Sequence, residues 1–220
     1  AKKTVDEILT KGRVEYGWLG VQIVDVDPER FPEYREDFKL GEADGSFVVN
    51  IFKGSPAYNA GILPGDYITS IGSRNVKDTS TLTRIVGNLP PGNRYDVSVI
   101  RGGREKTFDI RLAIREEDKE IAAQSKNLWP GMYIASLSPD LREQLTIPEE
   151  LEGVLVTVVQ EGSPAAEAGF RQGDVVKEVE GRAIRSSFDF YQAINSASGR
   201  EMDTKVFRQN EEIDLQLETK

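Results

Sequence analysis

The chain contains no cysteine and no histidine. The first absence excludes disulfide staples and thiol nucleophiles, so packing and hydrogen bonding alone must hold the fold. The second removes a Ser-His-Asp triad, a Cys-His pair and nearly every zinc site at once. No apolar run is long enough to cross a bilayer, and no secretory leader or lipidation motif is visible. Basic residues are too few and too scattered for a nucleic-acid footprint: 28 Lys and Arg stand against 37 Asp and Glu, a formal charge of −9 with the signs intermixed. The same balance disfavours insertion into, or capture by, an anionic membrane surface. No motif asks for a metal or a cofactor. Because position 1 is alanine rather than an initiator methionine, the chain reads as an excised piece of a longer one.

What is present, above all, is a repeat. Gly54-Ser55-Pro56-Ala57-Tyr58-Asn59-Ala60-Gly61-Ile62-Leu63-Pro64-Gly65-Asp66 returns as Gly162-Ser163-Pro164-Ala165-Ala166-Glu167-Ala168-Gly169-Phe170-Arg171-Gln172-Gly173-Asp174, and 162 − 54 and 174 − 66 both give 108. A repeat of that length is a duplicated small domain, so 220 residues make two modules of about 100 residues each. In each copy serine is a natural helix N-cap, proline suits the first helical position, and Gly61 or Gly169 can take the left-handed conformation that ends the helix. Gly65-Asp66 and Gly173-Asp174 then turn into apolar runs. The glycines and serines of the block have cap or turn roles and no basic partner, so the block reads as scaffold.

Taken in order, residues 4–10 carry Val5, Ile8 and Leu9 at helical spacing, a short helix entering from upstream. A glycine-bearing loop follows and opens into a strand over Val21 to Val24. The polar, proline-interrupted stretch Asp25 to Gly45 holds a short helix around Tyr34 to Leu40 and reads as a solvated loop or, second to that, as a surface for inter-domain or inter-subunit contact; Ser46 to Phe52 is a strand. Thr79 to Leu89 places Leu82, Ile85, Val86 and Leu89 on one helical face. A hairpin turns at Arg101-Gly102-Gly103-Arg104, and Arg115 to Glu120 is a charged linker. The second half repeats this order, from Trp129-Pro130-Gly131-Met132 to a hairpin at Gln209-Asn210, with a helix over Phe188 to Ala197.

A glycine loop running into a strand, a capped short helix, a Gly-Asp turn, an amphipathic helix and a final hairpin, twice over, resemble the bacterial PDZ domain. The run Val5 to Gly20 resembles the junction between protease and first PDZ domain in the HtrA/Do family of serine proteases, and the tandem resembles its two-PDZ, DegP-like members. The implied fold is mainly β with short helices (α+β), each domain a small, partly open β-barrel or sandwich capped by two helices. The implied boundaries are 1–13 as a linker helix from a missing protease domain, 14–114 and 127–220 as PDZ domains, and 115–126 as a charged linker. The family works in the cell envelope on misfolded proteins, so the resemblance implies a periplasmic location. Its implied partners are unfolded or C-terminal peptide segments, the protease domain of the same polypeptide, and further copies in an oligomer. With no catalytic domain present, this chain itself is expected to be no enzyme.

Peptide capture in such a domain rests on consecutive loop amides that form a nest for a terminal carboxylate, and on a free strand edge that takes the peptide as an extra strand. The loop and edge here are Trp18, Leu19, Gly20, Val21, Gln22 and Ile23, with Gly20 permitting close approach. On the resemblance, Thr83 and Val86 wall the groove. In the second copy the corresponding residues are Trp129, Gly131, Met132, Tyr191 and Ile194, but Pro130 removes one amide donor. Many family members carry a basic residue just ahead of the first loop; this chain has Glu15-Tyr16, which weakens attraction for a carboxylate. Three other readings stay open: a tandem scaffold without protease, an acid/base enzyme using paired carboxylates, and a second copy that serves mainly as an assembly surface.

Overall fold

A computed structural model describes residues 14–27, 32–196 and 201–219; the expected entry helix over 4–10 lies outside them. In the first half the strands are β1 (Gly17–Trp18), β2 (Val21–Val24), β3 (Ser46–Phe52), β4 (Tyr67–Ile71), β5 (Arg74–Asn75), β6 (Arg94–Arg101), β7 (Arg104–Arg111) and β8 (Ala113–Ile114). Its helices are α1 (Pro32–Asp37), α2 (Pro56–Ala60) and α3 (Thr79–Asn88). The connector forms α4 (Asp118–Ala122) and a 3-10 turn, Ser125–Asn127. The second half adds β9 (Leu128–Trp129), β10 (Met132–Ser136), α5 (Pro139–Leu145), β11 (Val154–Val159), α6 (Pro164–Glu167), β12 (Val175–Val179), β13 (Arg182–Ala183), α7 (Ser187–Ser196), β14 (Glu201–Arg208) and β15 (Glu211–Glu218).

Both sheets are open and share one order, β2-β3-β4-β6-β7 and β10-β11-β12-β14-β15, so β2 and β10 each stand at a sheet end. The architecture is therefore the expected α+β pair of domains, with open sheets rather than closed barrels. One strand breaks the parallel between halves. β1 pairs with β8 inside the first half, whereas its counterpart β9 crosses over and pairs with β3, Ile51 against Trp129 and Phe52 against Leu128.

The repeated block folds for the local reasons its residues supply. Ser55 caps α2 by accepting from Tyr58 N–H at 3.2 Å, and Gly61 ends the helix at φ +92°. Ser163 does the same for Ala166 N–H. α3 starts at Asp78, whose Oδ1 accepts from Thr81 N–H at 2.6 Å, and buries Leu82, Ile85 and Val86 against the sheet. The buried core is continuous across both halves, running from Leu19, Phe38 and Phe47 through Trp129 and Met132 to Phe190 and Tyr191.

A longer-range feature is also duplicated. Asp66, 1% exposed, receives Arg101 Nε at 2.6 Å and Nη2 at 2.7 Å, while Nη2 also donates to Gly61 O. Asp174, fully buried, receives Arg208 in the same way, and that guanidinium donates to Gly169 O. Each arginine therefore ties the Gly-Asp turn and the exit of the short helix to the hairpin. The Gly-Asp pair reads as a turn in sequence; only the fold shows the aspartate as half of a buried ion pair.

Candidate functional site

The first loop is held from behind. Ala57 N–H donates to Leu19 O at 3.0 Å and Phe52 N–H to Gly20 O at 2.9 Å. In a trans peptide the C=O and the following N–H point in opposite directions. With both carbonyls drawn into the body, the Gly20 and Val21 amides face away from it, as a carboxylate nest requires. Ser55 Oγ also reaches Gly20 O, at 3.3 Å. Gly20 has φ +82°, and a Cβ there would lie 2.1 Å from Ser55 Cβ. The close approach that glycine permits is thus to the serine behind the loop, where the sequence suggested the ligand in front.

The loop, β2 and α3 enclose a cavity of about 500 Å³ whose walls include Trp18, Leu19, Gly20, Val21, Gln22 and Ile23 on one side and Leu82, Thr83 and Val86 on the other. All eight first-copy residues singled out in the sequence meet in this one groove. Leu82 lies on both core and groove wall. Trp18 rests on Phe52, ring centroids 5.6 Å apart.

Two cations on the same wall escaped the sequence reading. Arg84 projects from α3, and Arg115 follows β8, its N–H donating to Tyr16 O at 2.8 Å. β1–β8 pairing thus brings a basic residue beside the position where Glu15-Tyr16 lacks one. The Arg115 guanidinium also contacts Asp118 at 2.5 Å. No local pattern could reveal it, because loop and arginine lie almost a domain length apart in sequence.

The helical wall depends on one half-buried carboxylate. Hydrogen bonds from Thr81 and Ser80 hold Asp78 below its ordinary value. A depressed carboxyl pKa contributes stability above the unfolded value and loses it as pH falls through the folded one. The protection factors of the amides in the first turn of α3, taken relative to the intrinsic exchange rate at each pH, are therefore expected to fall on acidification through that range, and Asp78→Asn to flatten the dependence; an unchanged profile in the variant would dismiss the cap as its cause.

The second set of residues is built alike and placed differently. Ala165 N–H donates to Pro130 O at 3.2 Å and Gln160 N–H to Gly131 O at 2.8 Å, which turns the Gly131 and Met132 amides forward. Gly131 N–H, however, donates to Asn50 Oδ1 of the first half at 2.8 Å. Trp129 is 7% exposed, paired with Ile51, and Lys53 Nζ lies 4.9 Å from its ring centroid. Met132 and Ile194 are buried. Tyr191, 2% exposed, packs between Phe38 and Phe47 of the first half at centroid distances of 6.1 and 5.5 Å. Burial raises its phenol well above the ordinary value, with Tyr34 and Tyr133 adding to the effect.

Among the described residues no group of three or more carboxylates gathers as a metal site, and no helix is long and apolar enough to cross a membrane. Compared with protein families, residues 17–112 and 124–219 each match the PDZ domain. The chain belongs to the PDZ family. Its two PDZ domains are homologous to the corresponding part of DegP-like serine endoproteases. A probable periplasmic serine endoprotease of this type from Marinomonas sp. (strain MWYL1) is 32% identical over 95% of the chain, and one from Brucella suis biovar 1 is 34% identical over 91%. The chain spans 44% and 38% of those proteins, less than half of each. Among solved structures, an HtrA-type protease, AlgW, with a decapeptide is 29% identical with a TM-score of 0.45, covering 52% of this chain and 34% of its own. The HtrA3 PDZ domain bound to a phage-derived ligand is 23% identical with a TM-score of 0.38, covering 46% of this chain and 88% of its own.

Proposed function

We propose that this chain is the peptide-binding tandem PDZ region of an HtrA/Do-type envelope serine protease, in which the groove between β2 and α3 captures C-terminal segments of unfolded proteins. The observation that carries this reading is the pair of amides, Gly20 and Val21, turned forward by inward hydrogen bonds at their preceding carbonyls, beside a sheet edge at β2. A peptide carboxylate would accept from those amides. Its backbone would extend the sheet along β2, and its terminal side chain would enter the cavity against Leu82 and Val86. Arg84 and Arg115 favour an anionic end, in place of the basic residue missing ahead of the loop. We read 14–114 and 127–220 as the two domains and 115–126 as the linker. The chain performs no catalysis; the parent protein's protease domain does, and receives what these domains hold.

The test uses Trp18, which lines the groove. The Trp129→Phe chain is titrated with hydrophobic-ended peptides carrying a free or an amidated C-terminus, followed by tryptophan emission. A saturable change with the free acid that disappears on amidation and weakens with salt is expected, because the contact is electrostatic and partly exposed. Equal response to both peptides, or to neither, would sink carboxylate recognition by this loop.

A further inference from the structure

The two copies are built alike around their loops, yet only the first presents an open groove. We infer that α1 of the first domain is the resident occupant of the second domain's groove, so the chain reads one peptide terminus rather than two. The resemblance alone implies a corresponding site in the second copy; the interface occupies it.

The groove at issue lies between β10, an edge strand, and α7. Both partners a peptide would use are engaged. Of the three loop amides, Pro130 has none, and Gly131 N–H donates to Asn50 Oδ1. On the strand edge, Ile134 O accepts from Tyr34 Oη at 3.0 Å. On the helix side, Ser187 Oγ, at the start of α7, donates to the same Tyr34 Oη at 3.1 Å and lies 2.9 Å from Ser136 Oγ on β10. One tyrosine of α1 therefore bridges both walls.

Its neighbour one turn later completes the contact. Tyr34 and Phe38 are four residues apart, so both lie on one face of the α1 segment. Phe38, 2% exposed, meets Phe188 edge-on at 5.4 Å and Tyr191 at 6.1 Å. This is the helix-in-groove mode of recognition, with an aromatic pair as the anchor. The remaining space beside β10, about 390 Å³, has Val24, Val26 and Tyr34 of the first domain among its walls, so it is an interdomain cavity rather than an open groove.

The contact is locked by groups that would be costly to strand. Asn50 is fully buried; its Nδ2 donates to Gln22 Oε1 at 2.9 Å, and that oxygen also accepts from Tyr133 Oη at 3.1 Å. Asn195 Nδ2 of α7 donates to Pro64 O at 2.7 Å. A buried donor or acceptor left without its partner bears its full desolvation cost, so opening this contact is costly.

The inference rests on the PDZ reading of both grooves, and its test separates the two. The first arm titrates the isotopically labelled chain with a hydrophobic-ended peptide bearing a free carboxylate. One equivalent should bind, with shifts at Gly20 and Val21 and none at Gly131 to Ser136. Saturable shifts at Gly131 to Ser136 would overturn the inference. The second arm needs no peptide and exploits the absence of cysteine: Ser187→Cys places one thiol at the bridge. Its modification by a soluble disulfide reagent should be slow, and should quicken by about tenfold or more when Tyr34→Ala and Phe38→Ala are added, as local opening becomes easier. Tyr34→Phe keeps the ring and removes the hydroxyl, and should give a smaller acceleration should the double variant not fold. A thiol that reacts at the rate of an exposed cysteine in the parent background overturns the occupancy. Absence of shifts at Gly20 and Val21 with a still-protected thiol defeats only the first-groove reading.

Discussion

Gly20→Ala is expected to lower stability by about 2–5 kcal/mol and to abolish binding of a C-terminal peptide to the first groove. The left-handed backbone at φ +82° costs an alanine about 1–2 kcal/mol. The new methyl also falls 2.1 Å from Ser55 Cβ, and forcing a carbon into packed space adds about 1–3 kcal/mol. Ser55 has no room to yield, because it is 2% exposed, caps α2 and donates to Gly20 O. The loop must move instead, taking the Gly20 and Val21 amides with it. Gly54→Ala is the control: φ is +79° but nothing lies within 4 Å, so only the backbone cost of about 1–2 kcal/mol remains. Urea midpoints of the parent and both variants check this, and equal losses in the two variants would remove the Ser55 contact as the cause.

Asp174→Ala is expected to cost about 3–5 kcal/mol, because it leaves the largely buried Arg208 without its counter-charge. The carboxylate also accepts from Arg171 N–H at 2.8 Å, so a backbone donor loses its partner as well. Arg94→Ala provides the contrast. That arginine contacts Asp109 at 2.5 Å, but both side chains are more than half exposed, and such pairs contribute about 0–1 kcal/mol. Thermal or urea unfolding distinguishes the two. A loss below about 1 kcal/mol for Asp174→Ala would mean the pair is no more than a surface contact.

The first groove was legible residue by residue because its parts are local. Trp18 to Ile23 form one loop and strand, and Thr83 and Val86 share a helix whose apolar spacing is plain. Arg84, on that same helix, was passed over; the rest of what stayed hidden came from pairing between distant segments. Arg115 reaches the groove only because β8 lies beside β1, and Asp66 is charge-paired only because the β6–β7 hairpin brings Arg101 to it across 35 positions. The stretch Asp25 to Gly45 showed a short helix and left a solvated loop and an inter-domain contact both open; it did not single out Tyr34 and Phe38, since an aromatic pair at that spacing serves equally well within a core.

The sequence by itself determined two PDZ domains, their caps, turns and the order of elements along the chain, because these follow from short-range chemistry that recurs with the 108-residue offset. Pro130 already set the second loop apart in sequence, but tertiary structure alone decided that groups of the first half meet it. Tyr34 and Ser187 stand 153 residues apart, Asn50 and Gly131 81 apart, and each pair meets only at a surface between the copies. A residue pattern records what its own strand or helix needs, whereas the occupant of a groove depends on which surface is brought against it when both domains pack.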